Sequence, residues 1–495
     1  MKTLLNNLTS NPLVWRVSFM EQFKTEFIEF LLATGALRVV GDFKLKSGRL
    51  SPYFVNIGDF NDGASTTALG QAYAQAIIHA STDDLSEDHL LYGIPEKGIA
   101  LAIAASVGLN SAGINVPWFF TRKTVKGYGE ATNLSQADLI KAFVVGRAPK
   151  EGQKIIQLDD VFTAGDAKYE ARKNLLSLGN FELPLLAIAV DRQEVGIDGS
   201  SAIEKYEHDT RTKVTSIVTA TDILEYLRGH DIDARSLERM ENYLRVYGTR
   251  QVQSAMSPLE QIIIERQRSV IPACDVRSLE TFEEIVKATA DNDAVGGYKI
   301  GFELVMWNSL PRVVEVARKH TAKPVIYDHQ KAGTDIPDTG KNFASVCRDA
   351  GLDAVIFFPQ AGPETERAWI YQAIDHGLKV IIGGRMTHAG YAVSEGGFIT
   401  DEGAMNMYRI AARAGINHFV VPGNKPDVIK EVRELVEAEG VNPVFYAPGF
   451  VAQGGKIGDA TKVAGERWHA IVGRGITEAP NHDYRAAALE HTSQL

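Results

Sequence analysis

The segment Pro324-Val-Ile-Tyr-Asp328-His-Gln-Lys331-Ala-Gly-Thr-Asp335-Ile-Pro337 places a lysine between two carboxylates, directly after a short apolar run. The apolar residues are typical of a buried β-strand, and the charges follow where that strand should end. Two acids beside one cation add little stability, because like charges repel and each acid resists ionisation unless the lysine holds both. The cluster therefore favours a functional role, and a solvated turn is the structural alternative.

Seven further apolar runs accompany this one in the C-terminal half, and amphipathic helical patterns such as 427–438 lie between them. Continuous apolar runs that alternate with such helices indicate parallel strands buried on both faces. Eight strand–helix units predict a (β/α)₈ TIM barrel, with an open doubly wound sheet as the alternative. The predicted strands are 270–275, 297–301, 324–328, 354–358, 379–383, 418–422, 443–447 and 470–473.

The N-terminal half is also α/β but less regular, and it predicts an open parallel sheet. A helix at 23–34 and a hairpin-like stretch at 43–53 precede the sheet. Residues 223–266 carry successive helical patterns without a Gly/Ser or Pro-rich tether. We therefore expect domains at 1–228 and 267–495, joined by a helical connector at 229–266. The predicted sheet strands are 90–94, 116–120, 155–159, 183–190 and 214–219.

Composition limits the possible partners and the cellular compartment. A chain of 495 residues is too long for one core, so two or three domains are expected. The net charge of −10 argues against general nucleic-acid binding. No apolar window is long enough for a membrane span, and the N-terminus lacks the pattern of a signal peptide. The two cysteines, Cys274 and Cys347, fit a reducing cytoplasm.

The segment Leu158-Asp-Asp-Val-Phe-Thr-Ala-Gly165 joins the strand at 155–159 to a helical run. Thr163, Ala164 and Gly165 are small enough for main-chain N–H groups to face an anion at a helix N-terminus. Asp159 and Asp160 lie at the strand end, where adjacent acids suit ribose hydroxyls and a hard cation such as Mg²⁺. An N-capping turn is the alternative, but it explains only one of the two acids.

This segment resembles the phosphoribosyl-pyrophosphate (PRPP) motif of type I phosphoribosyltransferases. Four further motifs narrow the resemblance, over about residues 20–228, to orotate phosphoribosyltransferase. They are Phe43-Lys-Leu-Lys-Ser-Gly-Arg-Leu-Ser-Pro-Tyr-Phe, Glu96-Lys-Gly-Ile-Ala-Leu-Ala, Phe120-Thr-Arg-Lys-Thr-Val-Lys-Gly-Tyr-Gly-Glu and Asp191-Arg-Gln-Glu.

The resemblance implies that Asp159 and Asp160 hold ribose, that Arg192 holds orotate, and that Mg²⁺ accompanies PRPP. Two positions depart from the family pattern: Tyr128 replaces a usual histidine, and Asp166 replaces a usual threonine or serine. Asp166 would either face outward beside the helix dipole or weaken PRPP binding. Five cations, of which Lys126 is also expected to be catalytic, are implied to hold pyrophosphate: Lys46, Lys97, Arg122, Lys123 and Lys126. A solvated surface run is the alternative for the basic loop.

Alternating acids and bases follow the first three predicted barrel strands, and a barrel carries its chemistry at these ends. Ordinary strand-end ion pairs are the alternative. The arrangement resembles orotidine 5′-monophosphate (OMP) decarboxylase over about residues 268–480. Met386-Thr-His, Ala447-Pro-Gly-Phe-Val-Ala-Gln-Gly-Gly and Ile471-Val-Gly-Arg-Gly are similar to its pyrimidine and phosphate loops.

The resemblance implies that Lys331 donates a proton, with Asp328 near the leaving carboxylate and Asp275 and Lys299 extending the charge network. Asp335 would reach across a dimer interface. Thr387 is implied to bond the ring, and Gln453 and Arg474 the phosphate. No cofactor and no dedicated metal site are expected for this half.

The spacing of the decarboxylase motif departs from the family pattern Asp-x-Lys-x-x-Asp. Asp328 and Lys331 are three residues apart, so a regular strand would turn them to opposite faces. A bulge or an early strand end would restore their convergence. We therefore predict backbone irregularity near His329 and Gln330.

Together the resemblances imply two consecutive steps of pyrimidine biosynthesis, from orotate and PRPP through OMP to UMP. The expected partners are these small molecules and further copies of the chain, as dimers or larger closed assemblies, with neither nucleic acid nor membrane. One alternative is an active decarboxylase barrel with a regulatory N-terminal half. Another is a related, Mg²⁺-dependent barrel decarboxylase that acts on a sugar phosphate.

Overall fold

The computed structural model describes residues 22–122, 136–162, 165–257, 259, 261–449 and 463–495, without the side chains of residues 136, 137, 139, 330 and 331. The chain divides into two compact units, Met1–Glu241 and Asn242–Leu495. The division falls within one helix of the expected connector. The expected bounds 1–228, 229–266 and 267–495 therefore stay a proposal. In the described part of the chain, no helix is long and apolar enough to cross a bilayer.

The first unit is built on a six-stranded sheet of order β10-β9-β8-β5-β6-β7. All five predicted strands are confirmed and run parallel. The short strand β7 pairs antiparallel with β6 and was not predicted, because three residues are too few to show a pattern. The strands of this unit are β1 (Leu37–Arg38), β2 (Phe43–Lys44), β3 (Leu50–Ser51), β4 (Phe54–Val55), β5 (His89–Gly93), β6 (Trp118–Thr121), β7 (Val144–Gly146), β8 (Lys154–Val161), β9 (Glu182–Asp191) and β10 (Lys213–Thr219).

Helices connect the parallel strands, and the predicted N-terminal helix and hairpin are both present. The hairpin is the antiparallel pair β2–β3. Helix α2 begins with a capping box in which Asp62 and Ser65 bond each other's main chain, which satisfies N–H groups that the helix itself leaves unpaired. The helices up to the division are α1 (Gln22–Ala33), α2 (Gly63–Ala80), α3 (Lys97–Ser111), α4 (Gln136–Phe143), α5 (Asp166–Leu176), α6 (Ala202–Thr210), α7 (Ala220–Arg228) and α8 (Ala234–Tyr247).

The second unit contains a closed parallel barrel of eight strands, β11 to β18. The predicted TIM barrel is confirmed, and the open-sheet alternative is wrong. Apolar side chains such as Ile271, Ile326, Ile381 and Tyr446 form its core. The strands are β11 (Arg268–Cys274), β12 (Tyr298–Gly301), β13 (Val325–Ala332), β14 (Ala354–Phe357), β15 (Lys379–Gly383), β16 (His418–Val420), β17 (Val444–Pro448) and β18 (Trp468–Val472).

The helices of the second unit alternate with the barrel strands, as the amphipathic patterns predict. In α16, for example, Ile429, Val432 and Val436 form a buried stripe. Helix α14 departs from this pattern, because it also buries polar side chains such as Glu366 and Gln372. The helices are α9 (Arg250–Ala255), α10 (Leu279–Thr289), α11 (Phe302–Asn308), α12 (Leu310–Arg318), α13 (Thr339–Asp349), α14 (Pro363–Asp375), α15 (Asp401–Arg413), α16 (Pro426–Ala438), α17 (Arg474–Thr477) and α18 (Tyr484–Thr492).

Strand β13 contains the predicted irregularity. Asp328 pairs with Ile356 of β14, and the next paired residue, Ala332, lies opposite Phe357. Residues 329–331 are therefore extra residues between two consecutive positions of the neighbouring strand. Gly333 follows at φ +91°, a conformation that favours glycine. The prediction of a bulge near His329 and Gln330 is confirmed.

Two buried histidines lie near the starts of β16 and β18. The Nε2 of His418 lies 2.7 Å from the main-chain oxygen of Gln261, which can only accept, so Nε2 carries the proton. The other ring nitrogen then accepts from the Tyr446 hydroxyl at 3.0 Å. His469 Nδ1 lies 2.8 Å from Ser269 Oγ. Burial lowers the pKa of His418 to about 4 and that of His469 to about 3.

Lowering the pH is expected to destabilise the barrel through these histidines. Both pKa values lie below the ordinary 6.5, so the histidines' contribution is complete above pH 6.5 and is lost as the pH falls towards 4 and 3. Each histidine should lower the free energy of unfolding by about 1.4 kcal/mol for every pH unit below 6.5, until its own pKa is reached. Urea unfolding at a series of pH values measures this slope. His469→Gln should reduce the slope, whereas the exposed His388→Gln should not; equal slopes in the two variants would contradict the assignment.

Candidate active sites

The barrel mouth brings three predicted charged residues together. Lys299, on β12, places its Nζ 3.1 Å from Asp275 Oδ2 and 3.2 Å from Asp328 Oδ2. The lysine side chain is only 6% exposed, whereas that of Asp275 is 41% exposed. Asp275 directly follows β11 and Asp328 lies on β13, and these two strands flank β12. The parallel register therefore brings both carboxylates to the Lys299 ammonium.

The two acids decide the ionisation of Lys299. Burial alone would lower the pKa of this ammonium, but the charges and hydrogen bonds of Asp328 and Asp275 outweigh burial and raise it above its ordinary value. Lys299 therefore stays protonated at neutral pH. A cation held this firmly is suited to fixing two carboxylates and poorly suited to giving up a proton during a reaction.

A cavity of about 360 Å³ opens at this mouth. Five predicted residues line it: Asp275, Lys299, Asp328, Thr387 and Arg474. The side chain of Lys331 and all of Gln453 lie outside the described residues, so their predicted placement is not tested. Asp335 does not belong to the lining and is exposed.

Helix α14 anchors the loop that carries Asp335. The hydroxyl of Thr365 donates to the main-chain oxygen of Asp335 at 2.9 Å. The indole N–H of Trp369 donates to the main-chain oxygen of Ile336 at 3.2 Å. Because both donors are buried, they fix the loop backbone while leaving the Asp335 carboxylate exposed.

Arg385 is a cavity residue that the sequence reasoning missed. It follows strand β15, lines the cavity, and donates from Nη1 to Asp401 Oδ1 at 2.7 Å. The available signal was a charged residue within two residues of the end of a predicted buried strand, close to the criterion that selected Asp275. Apolar side chains also line this cavity: Ile356, Phe358, Met386 and Val420.

In the first unit, the end of β8 holds two adjacent acids, each paired with a lysine. Asp159 Oδ2 lies 2.6 Å from Lys168 Nζ, which also donates to the main-chain oxygen of Val161 at 2.7 Å. Asp160 Oδ2 lies 2.5 Å from Lys97 Nζ. Burial raises the pKa of Asp159, and the Lys168 ammonium opposes that rise. Lys168 was not predicted as part of the site.

Helix α5 follows β8 along the chain, as the motif predicts. Gly165 has φ +88° and immediately precedes the helix. Asp166 is the first helical residue and is exposed, in the position that favours a negative charge at a helix N-terminus. Thr163 and Ala164 lie outside the described residues. Of the two expectations for Asp166, the outward orientation agrees with the structure.

The hairpin and the end of β9 meet around Arg192. Its guanidinium carbon lies 4.1 Å from the ring centroid of Tyr53, and Nη2 donates to Ser51 Oγ at 3.0 Å. Glu194 accepts from its Nε at 2.8 Å. The structure thus joins the predicted motifs at 43–54 and 191–194 into one site.

The other predicted cations of this unit are placed differently. Lys46 is exposed in the turn between β2 and β3, and Arg122 is exposed directly after β6. Lys97 is the first residue of α3. Lys123, Lys126 and Tyr128 lie outside the described residues. Among the residues that are described, no group of three or more His, Cys, Asp or Glu side chains could hold a metal ion.

The geometry defines a two-part α/β enzyme. In its first part, a parallel strand ends in two acids that are each paired with a lysine. Its second part is a barrel with a charged mouth. Residues 268–489 match the orotidine 5′-phosphate decarboxylase / HUMPS family. An orotate phosphoribosyltransferase of Haemophilus influenzae (strain PittGG) is 40% identical over 230 residues, 46% of this chain and 100% of that protein. One of Clostridium acetobutylicum is 34% identical over 238 residues, 47% and 100% of the two chains.

The chain therefore belongs to the orotate phosphoribosyltransferase family through its N-terminal region, and its C-terminal region carries the decarboxylase-family domain. Two crystal structures also match. That of orotate phosphoribosyltransferase from Francisella tularensis is 33% identical, covering 45% of this chain and 100% of its own, with a TM-score of 0.38. That of OMP decarboxylase from Methanocaldococcus jannaschii, complexed with an inhibitor, is 26% identical, covering 46% and 99%, with a TM-score of 0.41.

Replacing Lys168 with methionine should destabilise the N-terminal unit by about 3–5 kcal/mol, because it leaves the Asp159 carboxylate buried without its partner. The pKa of Asp159, already raised by burial, should rise further, so the loss should be largest at neutral pH and shrink under acidic conditions. Urea unfolding measures the change.

The matched control is Lys173→Met, an exposed lysine on the same helix, which should change stability by less than about 0.5 kcal/mol. If the two variants were equally stable, Lys168 would not be the counter-ion of a buried carboxylate.

Proposed function

We propose that this chain makes UMP from orotate in two consecutive steps, as a fused orotate phosphoribosyltransferase and OMP decarboxylase. The first step joins orotate to PRPP and releases pyrophosphate. The second removes CO₂ from OMP. The observation that carries the proposal is the buried Lys299 between Asp275 and Asp328, followed by the bulge that carries Lys331.

In the first step, negative charge builds on the pyrophosphate as it leaves C1 of the ribose, and cations stabilise that charge. Lys97 supports this role because its side chain is 58% exposed and can leave Asp160 for an incoming phosphate. Freed in this way, Asp160 accepts from the ribose hydroxyls together with Asp159. Lys46, Arg122, Lys123 and Lys126 complete the set of cations, and Thr163, Ala164 and Gly165 offer their main-chain N–H groups.

Arg192 is the proposed contact for orotate. Its stacking on Tyr53 and its bonds to Ser51 and Glu194 hold the guanidinium at one orientation. A planar guanidinium fixed in this way suits a carboxylate or a ring carbonyl oxygen. The Asp191 carboxyl beside it is half-buried, and its partial removal from water raises its pKa.

We propose Mg²⁺ as the cation that accompanies PRPP. The donor chemistry fits, because two adjacent carboxylates at the end of β8 supply hard oxygen ligands. Mg²⁺ is usually held by one or two carboxylates together with substrate phosphates, so a cluster of three protein ligands is not required. When bound, the ion neutralises charge on the departing pyrophosphate.

In the second step, the bond between C6 and the carboxylate breaks, and its electron pair stays on C6. Asp328 lies beside the leaving carboxylate, and the Lys331 ammonium supplies the proton that C6 takes up. Lys299 keeps its proton and holds Asp275 and Asp328 in place, which is the preorganised electrostatics that such a step requires. No electron sink from a cofactor is needed for this step, in which a proton takes the place of CO₂ on C6.

The remaining contacts that we propose for the barrel concern the pyrimidine ring and the 5′-phosphate. Thr387 bonds the pyrimidine, and Arg474 with Gln453 binds the 5′-phosphate; Thr387 and Arg474 line the cavity. The exposure of Asp335 on an anchored loop is compatible with the proposed contact across a dimer interface. We also propose a homodimer or larger assembly and a cytoplasmic location.

A regulatory, inactive N-terminal half is not favoured. The region is 40% identical to an orotate phosphoribosyltransferase along that protein's whole length, and Asp166 faces solvent. The sugar-phosphate alternative for the barrel differs in its requirement for Mg²⁺, so chelation separates it from the proposal.

A coupled assay with orotate, PRPP and Mg²⁺ should release pyrophosphate and then CO₂. EDTA should stop orotate consumption, because Mg²⁺ is needed to neutralise pyrophosphate, while CO₂ release from added OMP should continue. Orotate that is not consumed with Mg²⁺ present would favour the regulatory alternative. Loss of CO₂ release in EDTA would favour the Mg²⁺-dependent decarboxylase.

Lys331→Ala should slow CO₂ release from OMP by about 10²–10⁴-fold, the usual contribution of a positioned proton donor. Pyrophosphate release from PRPP in the same variant should stay unchanged, which controls for the N-terminal unit, and an unchanged melting temperature controls for the folding of the barrel. Lys319→Ala, an exposed lysine of the barrel, should leave both activities unchanged. Near-normal CO₂ release by Lys331→Ala would show that another group supplies the proton.

A further inference from the structure

Arg385 has hydrogen-bonding capacity that its described surroundings do not use. The side chain is 9% exposed and lines the cavity at the barrel mouth. Within the part of the chain that the structure describes, Nη1 donates to Asp401, and neither Nε nor Nη2 has an acceptor. A guanidinium has five N–H donors, and burying them without acceptors is costly. The arrangement therefore provides donors for a ligand in the cavity.

Asp401 fixes the orientation of the Arg385 side chain. Asp401 accepts from Arg385 Nη1 at 2.7 Å and from the Ser394 hydroxyl at 2.7 Å, and its second oxygen accepts from the Ser394 main-chain N–H at 3.1 Å. The Ser394 bonds and the Arg385 guanidinium lower the pKa of Asp401 to about 2. The carboxylate therefore stays charged throughout the neutral range and keeps the guanidinium in place.

The position of Arg385 indicates which part of a substrate it meets. It follows β15, two residues before Thr387, which is the proposed ring contact. The phosphate contact Arg474 follows β18, three strands further around the barrel. The cavity that Arg385 lines also has apolar lining residues, such as Phe358 and Met386, which suit a flat ring better than a phosphate.

We propose that Arg385 is a further substrate-binding residue of the barrel, and that it donates to a carbonyl oxygen of the pyrimidine ring. This assignment rests on the proposed decarboxylase function and adds a contact to it. The electron pair left on C6 lies in the plane of the ring, outside its π system, so a fixed cation that bonds a ring oxygen stabilises the pair through its electrostatic field. Asp401 is a positioning residue that acts through Arg385.

The test compares Arg385→Met with the wild-type chain by calorimetric titration of two ligands. UMP carries the pyrimidine carbonyl groups, and ribose 5-phosphate lacks the base. The affinity for UMP should fall about 10- to 100-fold, since a charge-assisted hydrogen bond is lost, while that for ribose 5-phosphate should not change. Binding of either ligand to the N-terminal unit is common to both proteins and cancels in the comparison.

Arg348→Met is the matched control, because it removes an exposed arginine from the same unit with the same change in net charge. It should bind both ligands as the wild type does. Arg385→Lys, which keeps the charge but loses the planar donors, should recover only part of the affinity for UMP. Asp401→Asn should weaken UMP binding less than Arg385→Met does.

An unchanged affinity of Arg385→Met for UMP would overturn the proposal, and so would an equal loss for UMP and ribose 5-phosphate. If Arg385→Met does not fold, as judged by its melting temperature, Arg385→Lys and Asp401→Asn carry the same comparison. If the wild-type chain binds UMP but does not release CO₂ from OMP, the proposed function is refuted. The effect of Arg385→Met on UMP binding can still be measured in that case. A wild-type chain that does not bind UMP would refute both.

Discussion

The buried ammonium of Lys299 is the constraint on which the barrel mouth depends. Taking this charge out of water is unfavourable unless opposite charges lie within bonding distance, and Asp275 and Asp328 provide them at 3.1 and 3.2 Å. The acids reach it only because β11 and β13 flank β12 in the closed sheet. Strand order and register thus provide the two carboxylates that the buried ammonium requires. The regular pairing of β13 lasts until Asp328 is in place, and the bulge begins immediately after it.

Most of the architecture could be predicted, because buried parallel strands leave a strong pattern. Most of the eight barrel strands contain a short apolar run, and the spacing between runs leaves room for one helix or helical pair. The bulge was also predictable, since Asp328 and Lys331 are three residues apart and a regular strand would separate their side chains. Strand β7 was not, because its pairing with β6 is set by the tertiary structure rather than by its own three residues.

The polar partners that hold the sites together were harder to predict. Lys168 reaches Asp159 because helix α5 folds back over the end of β8, and Arg385 meets Asp401 across the loop between β15 and α15. Both pairs depend on the path of a connecting loop, which hydrophobic periodicity does not describe. The type of residue at a strand end indicated where chemistry would occur, but not which distant charge would orient it.

Both units pair acidic side chains with a lysine, but the two lysines differ in how far they are exposed to solvent. In the first unit, Lys97 is 58% exposed, so its bond to Asp160 can be exchanged for bonds to a phosphate at a small desolvation cost. In the barrel, Lys299 is 6% exposed and its acids raise its pKa, so the arrangement resists exchange. Phosphoribosyl transfer requires cations that follow a departing pyrophosphate, whereas decarboxylation requires charges that stay fixed while the electron pair develops. The difference in burial between the two lysines therefore corresponds to the difference between the two proposed reactions.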